Sequence, residues 1–317
     1  MTPHIQRCAR ARNEQLPCES KGLPTSQSLP PRTTMDHMHD APALVQGRWW
    51  KGPFMGHLLP GLGFVLWGLA VAAAWVTPRP HPRPASKRAH KLHTDASPQA
   101  SFSSVERLGR AATSVLAIAT EMFSARLNTG GALHWLHFSS IGGSNMQNYY
   151  HATCHGLLLL ALGVDVAHLR GYASARTAVV ALGLALSMVA ALIAAHAGLQ
   201  GPSERAQHLP LAAALGLAAA STLGDAAWPH IPAWLGWRSY SLALTGAWMS
   251  RMAVARQRGW DAQFEADPMA SSMAATLHFV WTAMALACAW GLLAVVRQAA
   301  RRQGSNREQH AVEGLQP

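Results

Sequence analysis

Residues 175–197, ARTAVVALGLALSMVAALIAAHA, run for nineteen positions between Arg176 and His196 without a charged side chain. An α-helix rises 1.5 Å per residue, so about 20 apolar residues cross the roughly 30 Å of hydrocarbon in a bilayer. Inside lipid such a segment has to be helical, because each unpaired backbone group there costs several kcal/mol. The stretch reads as a membrane span, and the question becomes how many others the chain carries.

Six further segments fit. Upstream lie His57–Val76, ended by Pro78, Pro80, Pro82 and Pro84, then Val105–Ala125, interrupted by Arg107, Arg110 and Glu121, then Ala152–Leu169. Downstream come Leu209–Trp228, Ile231–Val254 with Arg238 and Arg251 near its ends, and Ala270–Val296. The expected architecture is all-α: a polytopic bundle of seven transmembrane helices with disordered tails. Its parts are a basic extension over 1–54, a membrane domain over 55–297 with a Pro-rich basic loop at 77–104, and a tail over 298–317. The extension has no apolar core of the kind a secretory signal needs.

Composition agrees. Of 317 residues, half are hydrophobic and only 13% are charged, against about 25% in soluble domains. That excludes an ordinary soluble enzyme. The net charge of +11 invites a nucleic-acid reading, but a nucleic-acid domain gathers Lys and Arg on a folded face. Here they sit mostly in Pro/Ser/His-rich flanks, where they act as topology signals and meet anionic headgroups. The expected partner is the lipid bilayer, not nucleic acid, and no protein partner is indicated. The basic loop, Arg170, Arg176, Arg238 and the C-terminal tail fall on one side of a seven-span chain. That side, with the C-terminus, is expected to be cytoplasmic, and the N-terminus lumenal or extracellular. Of four cysteines, Cys154 and Cys288 read as packing residues, while Cys8 and Cys18 could pair only in an oxidising compartment.

The 17 histidines are the most informative feature. His57 opens the first span, Glu121 closes the second, and His151 and His155 open the third. His196 closes the fourth, His208 opens the fifth, and His278 lies about two turns into the seventh. Because alternate spans run in opposite directions, all of these positions fall at one end of the bundle. Ionisable groups there are costly and turn towards the bundle to find partners. Imidazoles so placed suit Zn, Cu, Fe or Ni, with His151 and His155 at the i,i+4 spacing of two ligands on one helix face. They also suit haem from facing helices, titration as an acid sensor, or plain hydrogen bonds between helix ends. No spacing decides among these. The candidate metal set is His57, Glu121, His151, His196, His208 and His278; no catalytic residue is assigned.

A second polar level holds Asp165 and Asp225, read as structural ion-pair partners of Arg170, Arg176 or Arg238. Met35–Asp40, MDHMHD, is Met- and His-rich like a copper-transporter tail, and Met269 and Met273 repeat a Met spacing of that kind. The three-span pattern of such transporters is absent, so a flexible tail is the preferred reading. There is no P-loop, dinucleotide fingerprint, nucleophile elbow or zinc-protease motif. Most tryptophans lie near span ends, as interfacial anchors do.

Met55-Gly56-His57-Leu58-Leu59-Pro60-Gly61, leading straight into a span, resembles the opening of the transmembrane protein 45 family. The resemblance continues in order through Glu121, His151 with Asp165 fourteen residues on, His196, Pro202, Glu204 and Gln207-His208. Gly246, Trp248, Trp260-Asp261 and His278 complete it over Met55–Arg297. Gly198 stands where the family has a second histidine, and Ser187–Val189 lacks the family's acidic residue. The resemblance implies a seven-span protein of the endomembrane system or plasma membrane with no settled activity. The leading expectation is a non-enzymatic multi-pass protein in trafficking or signalling. The alternative is a metal- or haem-binding protein (Zn, Fe/haem or Cu) in redox chemistry, metal handling or zinc-dependent lipid hydrolysis. A transporter would need inverted repeats, which the chain does not display.

Overall fold

The computed structural model describes residues 53–77, 104–128, 146–258 and 267–313. Residues 1–52 of the N-terminal extension, Met35–Asp40, Cys8 and Cys18 among them, lie outside the described residues, as do most of the Pro-rich loop, Trp260 and Asp261; Pro53 and Phe54 belong to the first helix. Seven helices follow one another: α1 Pro53–Val76, α2 Ser104–Asn128, α3 Met146–Leu169, α4 Ala175–Gly198, α5 Pro202–Ala227, α6 Ala233–Gln257 and α7 Pro268–Glu313. The described residues contain no strand. The chain is an all-α polytopic membrane protein, with α1, α3, α4, α5 and α7 each long and apolar enough to cross a bilayer.

The helix ends carry local reasons. Ser174 caps α4 by accepting from Thr177 N–H at 3.0 Å, and Pro202 opens α5 at a position that needs no N–H. Asp267 accepts from the N–H groups of Met269 and Ala270 and so caps α7. Gly171, with φ +80°, makes the tight turn from α3 to α4. Helices α3 and α5 start about two turns ahead of their apolar runs. Polar first turns are still helical, and His151 and His208 therefore stand within helices instead of opening them. At the other end α7 continues to Glu313, so Gln298–Glu313 is helical where the sequence suggests a disordered tail.

Each helix from α1 to α6 packs against the next, and α6 packs back on α1, closing a ring of six; α7 packs on α5 and α6. The α1–α6 contact is the most extensive, and small residues make it so. A Cβ at Gly246 would lie 2.4 Å from the Gly61 carbonyl oxygen, and one at Gly68 would lie 2.6 Å from Ala243 N. Such close backbone approach is how helices associate where no hydrophobic force separates them from lipid. The ring's core is Phe64, Trp67, Leu158, Leu182, Leu186 and Trp248 with their neighbours.

Helix α2 is turned the opposite way from a helix in water. Its Glu106, Arg110 and Glu121 are buried, whereas Val105, Leu108 and Leu116 are more than half exposed. In α7 Leu277, Trp281, Met284, Leu292 and Val295 are likewise exposed. Apolar outside and charged inside is the arrangement that lipid stabilises and water does not.

Candidate metal centre

Two polar layers cross the ring. One lies at the start of α2 and the end of α3. There Arg107 Nε and Arg110 Nη2 donate to Asp165 Oδ2 at 2.9 and 2.6 Å. Arg238 donates to Asp225 Oδ2 at 3.1 Å and to Glu106 Oε1 at 3.4 Å, and Trp67 Nε1–H donates to Glu106 at 2.9 Å. Each carboxylate meets a guanidinium, three against three. The ion-pair reading stands for both: Asp225 takes Arg238, as expected, whereas Asp165 takes Arg107 and Arg110 of α2 and not Arg170, Arg176 or Arg238.

The second layer lies about 21 Å along the axis, the rise from Asp165 back over fourteen residues to His151. Four helices bring histidines to it: His57 from α1, His151 from α3, His196 from α4 and His208 from α5. The rings of His57 and His151 are 5.7 Å apart, His57 and His208 5.9 Å, His151 and His196 5.6 Å, and His196 and His208 5.1 Å. For His151, His196 and His208, one ligand nitrogen each lies within 4.8 Å of the other two. His57 borders this trio without joining it.

Hydrogen bonds set the ring orientations. His208 Nδ1–H donates to the Glu204 carbonyl at 2.8 Å, so Nε2 carries a lone pair. That Nε2 is buried and has no hydrogen-bond partner. His151 Nδ1–H donates to Glu121 Oε1 at 3.2 Å, which likewise leaves Nε2 to act as an acceptor. Gly56 makes room for that carboxylate, since a Cβ there would lie 2.8 Å from Glu121 Oε1. The Nδ1 of His196 is 3.5 Å from the Gln200 amide, and Tyr150 lies against its ring at 5.3 Å. Histidines that ligate metals are held in this way, with the far N–H on a carboxylate or a backbone carbonyl.

Five of the six expected residues therefore converge: His57, His151, His196 and His208 by ring contact, and Glu121 through His151. His278 is placed differently. It hydrogen-bonds Arg251 and sets its ring edge on Trp281 at 5.6 Å, while Arg251 lies over Trp248 at 4.9 Å. His155, left out of the candidate set, lines the cavity beneath the layer and is buried. Its position four residues after His151 was the available signal. That cavity has a volume of about 40 Å³ and is partly open to the outside.

Chemically, three neutral imidazoles with outer hydrogen bonds suit zinc and its neighbours. A tetrahedral ion with bonds of 2.0–2.1 Å holds its nitrogens about 3.3 Å apart, so the trio has to draw together from its spacing of up to 4.8 Å to ligate it. No known protein family, curated protein or solved structure matches the chain.

Proposed function

We propose that this protein spans the membrane seven times and binds one divalent transition metal, zinc by preference, through His151, His196 and His208 at its non-cytoplasmic helix ends. The observation that carries the reading is His208. Its Nδ1 is committed to a backbone carbonyl, and its buried Nε2 has no donor facing it. A buried polar atom left without a partner costs about 1–3 kcal/mol, and a metal ion beside two further imidazoles removes that cost. Glu121 orients His151 and adds negative charge that offsets the ion's own.

The span count draws on α2 and α6, which are less apolar than the five helices that stand out by composition. Both are held in the ring between apolar helices, and their charged residues face inward to partners. The orientation follows from the basic loop and tail, with the C-terminus cytoplasmic. Membership of the transmembrane protein 45 family is part of the proposal and rests on the ordered residues from Gly56 to His278. Taken alone, that resemblance favours a second reading, in which the chain works in trafficking or signalling and the histidines tie helix ends together.

Elemental analysis of the detergent-purified protein separates the two. About one zinc per chain, lost from a His151→Ala/His208→Ala variant that elutes at the wild-type position, is the expected outcome. Well-folded wild type that takes up no zinc, iron or copper would sink the metal reading and leave the second.

A further inference from the structure

Two side chains of α3 that take no part in the zinc trio face the interior of the ring. His151, Cys154, His155 and Leu158 follow at i, i+3, i+4 and i+7, so they share one face of the helix, and all four line the cavity. Cys154 is a buried free thiol. Packing explains its burial but not its place on a cavity wall. His155 is only 7% exposed, and its Nδ1 is buried with no hydrogen-bond partner. Leaving such an atom unmet costs about 1–3 kcal/mol. Met249 of α6 lines the same cavity. Helices α3 and α6 are not neighbours in the ring, so these side chains border the cavity from opposite sides. They also stand at one depth. Cys154 and His155 follow His151 by three and four residues, about 5–6 Å further in. Ser250, next to Met249, lies against Gly61, where a Cβ would be 2.6 Å from its Oγ. Gly61 follows His57 by four residues, again about 6 Å.

We infer that Cys154, His155 and Met249 form a second metal site, one helical turn inward of the histidine trio, and that its ion is monovalent copper. The donor set selects the ion first: a thiolate, a thioether and an imidazole together are soft ligands, which favour Cu(I) over zinc. Charge selects it again. One thiolate and Cu(I) sum to zero, whereas a divalent ion on the same thiolate would leave a positive charge among Leu158, Val189, Ile193 and Leu215, and buried charge of that kind is costly. Size permits it, because a cavity of about 40 Å³ exceeds the roughly 10–15 Å³ that one water needs. As the sulfur–copper bond forms, the thiol gives its proton to the medium through the open side of the cavity. Copper enters and stays as Cu(I), so nothing is oxidised or reduced. The site shares no ligand with His151, His196 or His208 and does not depend on zinc being bound there.

The test uses full-length protein in detergent, without oxygen, titrated with Cu(I) buffered by bicinchoninate. One Cu(I) per chain is expected, both in the wild type and in the His151→Ala/His208→Ala variant that lacks the trio. Cys154→Ala should weaken copper binding at least about a hundredfold, since ligation supplies most of the free energy of such a site. Met249→Leu, which keeps the volume and removes the thioether, should weaken it about tenfold. Neither change should alter the zinc content. X-ray absorption at the copper edge of the wild type should show sulfur together with nitrogen around the ion, and this measurement decides even where a variant does not fold. A protein that takes no copper from the buffer overturns the proposal. So does a shell of nitrogen alone, or a copper affinity untouched by Cys154→Ala and Met249→Leu. Copper lost together with the trio's histidines would place it on those imidazoles and overturn the second site. Copper bound by a protein that takes up no zinc supports this site and fails the zinc reading alone.

Discussion

The two polar layers use the same helices and the same ring, yet they are built to different ends. In the charged layer Glu106, Asp165 and Asp225 face Arg107, Arg110 and Arg238 across helix boundaries, with Trp67 donating into it. Formal charge sums to zero there, and the groups point at one another. In the histidine layer the outward nitrogens are anchored, to Glu121 and to the Glu204 carbonyl, and the inward ones converge on a common point. The first layer is closed on itself, as a device that fixes helix rotation would be. The second holds its ligands in place and keeps its acceptors aimed at a space. Both are buried polar clusters, and the difference lies in pairing: carboxylates meet guanidiniums in the first, while imidazoles of like kind are gathered in the second.

Breaking the charged layer should have the largest effect. Asp165→Ala removes the acceptor shared by Arg107 and Arg110, and loss of one member of a buried pair costs about 3–5 kcal/mol. Thermal unfolding in detergent should show a large fall in Tm, with unchanged zinc stoichiometry in whatever fraction stays folded. A loss of zinc from the folded fraction would mean the layers are coupled. The reverse holds for His208→Ala. It should weaken zinc binding by at least about a hundredfold, since ligation supplies most of the free energy of such sites. The Tm of the metal-free protein should fall less than in Asp165→Ala, because His208 gives up one hydrogen bond from Nδ1 while its Nε2 has no partner to lose; a collapse of the metal-free Tm would make His208 a structural residue.

Between the layers runs the α1–α6 seam. Gly246→Ala places a methyl group against the backbone of Gly61 and Val65 and should cost about 1–3 kcal/mol, the scale of overpacking. Because α1 carries His57 and α6 carries Arg238, this change should disturb both layers. Hydrogen exchange slowed equally at both ends in variant and wild type would contradict that. The mildest change is Glu121→Gln, which keeps the shape and withdraws the charge behind His151. Zinc affinity should drop about 10–100-fold, as for other outer hydrogen-bond partners, with Tm of the metal-free protein nearly unaltered. Titration against a competing chelator measures it, and an unchanged affinity would separate Glu121 from the site.

Much of this was legible before any helix was placed. Five helices follow from long apolar runs, and the common level of His57, Glu121, His151, His196 and His208 follows from span parity. Axial position is readable because the rise per residue is constant. Rotation about the axis is not, when a helix is apolar nearly all round and lipid accepts any face. That is why His278 could be placed at the right level and still turn to Arg251 and Trp281. It is also why Asp165 could be assigned an arginine without the correct one being named. Helix α2 was the weakest span on composition for the same reason: its charges read as interruptions until their buried partners were in view.

Composition and periodicity alone dictate an all-helical chain in a membrane, with polar residues gathered at two depths, because backbone hydrogen bonding and hydrocarbon thickness leave no other solution. Which imidazoles lie together, which carboxylate meets which guanidinium, and where a cavity opens depend on how far each helix turns about its axis. That angle is set by contacts between neighbours such as Gly61 on Gly246 and Gly56 on Glu121, so it exists only once the ring has closed.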